Sequence, residues 1–126
     1  MSRPTILVIE DNPTNLELVS DLLEVAGYQL ISAQDAETGI QMAEESRPDL
    51  VLMDIGLPGM DGLMATRHLG ENPLTGHIPV VALTAHAMSG DRGRAMEAGC
   101  VGYITKPIDT REFIATVGKF LGLGPE

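Results

Sequence analysis

The sequence predicts an α/β fold in which five parallel strands form a doubly wound sheet, and three observations carry that prediction. Short apolar runs near 5–10, 29–33, 49–54, 79–84 and 101–105 alternate with helical patterns near 14–26, 36–46, 63–70, 88–98 and 110–121. Strands and helices that alternate in this way make β/α units, whose stable assembly is a parallel sheet covered on both faces. Runs such as Ile6-Leu7-Val8-Ile9 and Leu50-Val51-Leu52-Met53 are unbroken rather than alternating, as expected of strands buried on both sides. Finally, 126 residues suffice to bury one core without disulfides or structural metal, and no second domain fits.

Each element has a local reason. The first strand ends in Glu10-Asp11. The first helix carries Leu16, Val19, Leu22, Leu23 and Ala26 at helical spacing and stops at Gly27, a residue suited to ending helices. The third strand delivers Asp54, the fourth, Val80-Val81-Ala82-Leu83, delivers Thr84, and the fifth, Tyr103-Ile104-Thr105, delivers Lys106-Pro107. Between the third helix and fourth strand, Glu71 to His77 carries Pro73 and Gly76 and reads as a surface loop. Asp109 with Glu112 three residues later resembles a capping box opening the last helix. After Phe120-Leu121 only residues 122–126 remain, too few to serve as an output domain or a useful linker. The expectation is one domain over residues 1–126, with no internal repeat and no low-complexity tract.

Composition excludes several classes. Eight basic against eighteen acidic side chains give a net charge of −10, which opposes any hold on a phosphate backbone, so nucleic acid is not an expected partner. Residues 1–63 hold two basic and twelve acidic side chains, whereas residues 64–126 hold six of each. The negative field therefore belongs to the first half and suits cation capture near Glu10-Asp11, while the second half can meet protein partners of either sign. One cysteine, Cys100, allows neither a disulfide nor a thiolate metal cluster within the chain, and a cytoplasmic protein is the default expectation. No apolar run is long enough for a signal peptide or a membrane span.

Parallel strands share a carboxyl edge, and that edge receives Glu10-Asp11, Asp54, Thr84 and Lys106. Carboxylates, a hydroxyl and an ammonium would converge on the crevice where open α/β sheets place their ligands. Like charges packed so closely repel, and the arrangement makes sense with a cation among them.

Four segments carry a resemblance to a known family: Val8-Ile9-Glu10-Asp11-Asn12, Leu52 to Gly62 (Leu-Met-Asp-Ile-Gly-Leu-Pro-Gly-Met-Asp-Gly), Ala82-Leu83-Thr84-Ala85-His86-Ala87 and Tyr103-Ile104-Thr105-Lys106-Pro107. In this order, each at an expected strand end, they resemble a CheY-like two-component response-regulator receiver domain over roughly residues 4 to 122. The wording is similar to stand-alone regulators of the DivK type and to receivers attached to hybrid histidine kinases. The resemblance implies a flavodoxin-like (βα)5 fold with strand order 2-1-3-4-5 and a role in phosphorelay signal transduction. It implies a phosphoacceptor with intrinsic self-phosphorylation and autodephosphorylation rather than an enzyme. Its implied partners are a histidine kinase or histidine phosphotransfer protein and a downstream protein target.

Residue by residue, Asp54 is the expected phosphoacceptor, its carboxylate attacking a phosphohistidine to form an acyl phosphate. Transfer to a carboxylate beside two more acids requires Mg²⁺, with Asp11, Asp54 and the backbone carbonyl of Gly56 as expected ligands and Glu10 reaching the ion through water. Glu10 and Asp11 could instead cap a helix ahead of Pro13 and Thr14. Lys106 is expected to place its ammonium on a phosphoryl oxygen and to balance the acids otherwise, and the family pattern implies a cis bond at Pro107. Thr84 is expected to donate its hydroxyl to a second phosphoryl oxygen, with small Ala85 leaving the acceptor open. Tyr103 matches the family's aromatic switch position, where it would turn as Thr84 moves and alter the surface around Met88 to Ala98 and Asp109 to Phe113. Plain packing is the competing reading for Tyr103. His68, His77 and His86 lie nine apart, a spacing that puts no two on one metal, so they read as surface residues, with His86 placed to tune dephosphorylation.

Three other functions compete. An aspartyl phosphatase would need an acid two residues after Asp54, where Gly56 stands. Nucleotide binding would need a glycine-rich turn opening a helix, and the spacing of Gly56, Gly59 and Gly62 around Pro58 does not supply one. An interaction module that is never phosphorylated remains as the alternative, requiring a vestigial acidic site.

Overall fold

A computed structural model describes residues 3–55, 62–84, 91–106 and 108–121. Its elements run β1 (Thr5–Ile9), α1 (Pro13–Val25), β2 (Gln29–Ala33), α2 (Ala36–Ser46), β3 (Leu50–Asp54), α3 (Gly62–Glu71), β4 (Val80–Thr84), α4 (Asp91–Ala98), β5 (Gly102–Thr105) and α5 (Thr110–Phe120). The strands form one parallel sheet in the order β2-β1-β3-β4-β5, the expected doubly wound, flavodoxin-like arrangement. β3 and β4 are buried along their whole length, and β1 from Ile6 onward. β2 and β5, at the edges, are only partly covered.

The side-chain period of two divides the apolar strand residues between two cores. Leu7, Ile9, Val51, Met53, Val80 and Ala82 face a core closed by Ala36 and Ala43 of α2, Ala65 and Leu69 of α3 and Ala95 of α4. Ile6, Val8, Leu50, Leu52, Val81 and Leu83 face the opposite core, closed by Val19 and Leu23 of α1 and Phe113 and Val117 of α5. Unbroken apolar runs are thus required, because every position of a central strand meets one helical layer or the other.

Helix starts follow local chemistry. Asn12 caps α1, its Oδ1 accepting from the backbone N–H of Thr14 at 2.9 Å and Asn15 at 3.1 Å, with Pro13 in the first turn where no donor is needed. The capping alternative for Glu10 and Asp11 is therefore filled by their neighbour. Asp109 caps α5 through the N–H groups of Arg111 and Glu112, as the sequence suggests. Gly27, at φ 92°, adopts the left-handed conformation that follows α1. The segment after α3 is the expected surface loop, with Glu71, Pro73, Leu74, Gly76 and His77 exposed, but Thr75 within it is buried and donates to the Leu69 carbonyl at 2.7 Å. Its hydroxyl caps the end of α3, which periodicity does not reveal.

Candidate functional site

The parallel register aligns the strand ends. Ile9 pairs with Met53, Asp54 with Leu83 and Thr84 with Thr105, so Glu10, Asp54, Thr84 and Lys106 leave the sheet along one edge. Backbone bonds extend that alignment past the strands: Glu10 N–H donates to the Ala33 carbonyl at 3.0 Å and Lys106 N–H to the Thr84 carbonyl at 2.8 Å. Glu10, Asp54 and Thr84 are buried, and Asp11 is exposed. The Lys106 ammonium lies 3.1 Å from Glu10 Oε1 and 3.2 Å from Asp54 Oδ2. The other Glu10 oxygen, Oε2, accepts from the backbone N–H of Asn12 at 3.2 Å. Asn12 thus serves twice, as helix cap and as support for Glu10. The dipeptide that follows the strand, Asp11-Asn12, is the only sequence signal for this second role.

Burial pushes the Glu10 carboxyl up from 4.5 to about 7; the neighbouring Asp54 carboxylate adds to the rise, and the Lys106 ammonium opposes it. Burial works against the Lys106 ammonium, but Glu10 and Asp54 outweigh it and raise its pKa above the ordinary lysine value. A carboxyl group whose pKa is higher folded than unfolded stabilises the fold below its unfolded pKa, and that contribution disappears as pH rises through the folded value. The window for Glu10 runs from 4.5 to about 7, and the Lys106 window lies above 10.5, clear of it. The metal-free protein is therefore expected to lose stability on the order of 3 kcal/mol between pH 4.5 and pH 8. Denaturant melts in EDTA check this, and a stability that rises over that interval would contradict the placement of Glu10.

Glu10, Asp11 and Asp54 each offer a carboxylate oxygen, and these atoms lie within 4.8 Å of one another. Glu10 Oε1 is buried and takes no hydrogen bond of good geometry among the described residues, the Lys106 ammonium being its ion-pair neighbour. An all-oxygen, multiply charged donor set fits a hard divalent cation such as Mg²⁺. Gly56, the remaining expected ligand, lies outside the described residues, as do Ala85, His86 and Pro107.

Tyr103 is half-buried, registered beside Ala82 on β4 and packed against the core that holds Ala95. It also lines a groove of about 580 Å³ bounded by Met96 of α4 and Phe113 and Phe120 of α5. Tyr103 thus borders the groove between α4 and α5, and Thr84, two residues along β4 from the Tyr103 partner Ala82, ends that strand on the acidic edge. Of the expected outward face from Met88 to Ala98, residues 88–90 fall outside the described residues. His68 and His77 are exposed, as expected. Cys100 is a buried free thiol, its Sγ 3.8 Å from Thr66 Oγ1, and burial raises its pKa.

Sheet order, edge placement and paired Lys106 together define a CheY-like receiver of two-component signalling. The chain matches the response regulator receiver domain family over residues 6–118 and belongs to it. It is 43% identical over 118 residues to the polar-differentiation response regulator DivK of Brucella anthropi, covering 94% of this chain and 96% of that one. Among solved structures it resembles a response regulator of Chloroflexus aurantiacus J-10-fl, with a TM-score of 0.92 and 30% identity over 96% of this chain and 99% of that one. It equally resembles the receiver domain of sensor histidine kinase PA1611 of Pseudomonas aeruginosa PAO1, with a TM-score of 0.90 and 34% identity over 96% and 99% of the two chains. The PA1611 receiver carries a magnesium ion coordinated in its active-site cleft. Among the described residues no helix is long and apolar enough to cross a membrane.

Proposed function

We propose that the protein accepts a phosphoryl group on Asp54 from a histidine kinase or a histidine phosphotransfer protein, in the cytoplasm, and presents an altered surface to a downstream protein. The observation that carries this reading is the Lys106 ammonium held between Glu10 and Asp54 at 3.1 and 3.2 Å on an edge that also gathers Asp11. An Asp54 carboxylate oxygen forms a bond to phosphorus while the phosphorus–nitrogen bond of the donor breaks, and its electron pair stays on the imidazole nitrogen. Lys106 holds one phosphoryl oxygen as a point charge, and Thr84 donates its hydroxyl to another. Mg²⁺, which Glu10, Asp11 and Asp54 would hold, supplies positive charge to the phosphoryl oxygens when bound. Water later attacks the acyl phosphate, so the chain is a phosphoacceptor with its own self-phosphorylation and dephosphorylation chemistry rather than a turnover enzyme. Tyr103 turns with Thr84 and carries the change to the groove between α4 and α5.

The test is intact mass after incubation with acetyl phosphate. One added phosphoryl group with Mg²⁺ and none without it is expected; no addition in either condition would leave an interaction module. Mg²⁺ at ten times its Kd should stabilise the fold by about 1.4 kcal/mol, and Asp11→Ala should remove most of that gain. A melting temperature indifferent to Mg²⁺ in the unmutated protein would count against the carboxylate set.

A further inference from the structure

We infer that Gly62 is a positioning residue for Asp54: α3 approaches the end of β3 as closely as it does because position 62 has no side chain. This rests on the phosphoacceptor reading of Asp54. Gly62 is buried and opens α3. A Cβ added there would overlap the Asp54 carbonyl oxygen and the Ile55 Cα, both backbone atoms that no rotamer change can move aside. A Cβ added at Gly39 would meet instead the flexible Ile9 side chain.

The helix is not free to retreat from such an intrusion. Ala65, Thr66 and Leu69 of α3 are buried, and Thr66 Oγ1 donates to the Gly62 carbonyl at 2.8 Å. β3 is held across to β4 by the pairing of Asp54 with Leu83, and past its end by a 3.2 Å bond from Ile55 N–H to the Leu83 carbonyl. A Cβ at position 62 must therefore displace the Asp54–Ile55 peptide, which carries the reacting carboxylate. Displacement there misaligns the carboxylate against the 3.2 Å contact with Lys106 without removing any group that takes part in the transfer.

The experiment compares Gly62→Ala with Gly70→Ala, a substitution on the same helix whose Cβ would touch nothing within 4 Å. Labelling by acetyl phosphate with Mg²⁺ is followed as a function of donor concentration, with the folded fraction measured by circular dichroism at the assay temperature. For Gly62→Ala the maximal labelling rate of the folded protein should fall about tenfold to a hundredfold, with the half-saturating donor concentration little changed. Gly70→Ala should label at the unmutated rate. A purely structural role would lower the melting temperature of Gly62→Ala and leave the rate of its folded molecules intact, and that result overturns the inference. If the unmutated protein takes up no phosphoryl group, the phosphoacceptor reading falls first and the positioning role with it. Should Gly62→Ala fail to fold, Thr66→Ala releases the same turn without adding an atom. A maximal rate reduced about threefold or more then supports the inference, and an unchanged rate overturns it.

Discussion

Asp54→Asn is expected to take up no phosphoryl group from acetyl phosphate and, free of metal at pH 8, to melt at or above the temperature of the unmutated protein. The amide is nearly isosteric with the carboxylate, so packing at this buried strand end is kept, but its oxygen cannot form the acyl phosphate. The electrostatics move the other way. Above pH 7 the cluster sets the carboxylates of Glu10, Asp11 and Asp54 against the single ammonium of Lys106, and removing one of three crowded carboxylates relieves repulsion. Glu10, relieved of a negative neighbour, should also titrate nearer its ordinary value, flattening the loss of stability between pH 4.5 and pH 8. Intact mass and melting measured on the same samples separate the two effects. Persistent labelling of the mutant would move the acceptor to another residue, and a mutant distinctly less stable at pH 8 would mean that Asp54 contributes more through Lys106 than it costs beside Glu10.

How much of this site could be read before the fold was seen depends on which physical signal each residue leaves in the chain. The central strands leave a strong one, since Leu50 to Met53 face helices on both sides and cannot alternate in polarity. The functional residues leave an equally direct one, because a charge that ends an apolar run has little structural reason to be there. Placement of Glu10, Asp54, Thr84 and Lys106 on one edge then follows from parallel pairing alone. What was not legible depends on distances between layers. The bond from Asn12 N–H to Glu10 needs the particular turn after β1, and the approach of Gly62 to the Asp54 carbonyl needs the spacing of helix and sheet. Thr75, buried against the end of α3, sits among Pro, Gly and Asn residues whose composition signals only a loop. The helix start at Pro13 rather than residue 14 reflects a cap, Asn12, that the two acids before it obscure.

Lys106→Met is expected to cost about 2–3 kcal/mol of stability at pH 8 and less at pH 5, a pH dependence that isolates its pairing with Glu10. Methionine keeps most of the apolar length of lysine, so packing along β5 changes little. The charge is another matter. Glu10 has no exposed side-chain surface, and the ammonium 3.1 Å from its Oε1 is its cationic partner. Removing one member of a fully buried ion pair costs about 3–5 kcal/mol because the other is left charged and desolvated. Lys106 retains 17% of its side-chain exposure, so water already screens part of the attraction and the loss falls at or somewhat below the lower end of that range. At pH 5 Glu10 is largely protonated, its pKa standing at about 7, and a neutral carboxyl has little to lose when the cation goes. Denaturant unfolding of both proteins at the two pH values, in EDTA, gives the comparison. Equal losses at pH 5 and pH 8 would assign the effect to the lysine stem or to the 3.2 Å contact with Asp54, and the charge on Glu10 would then have no part in it.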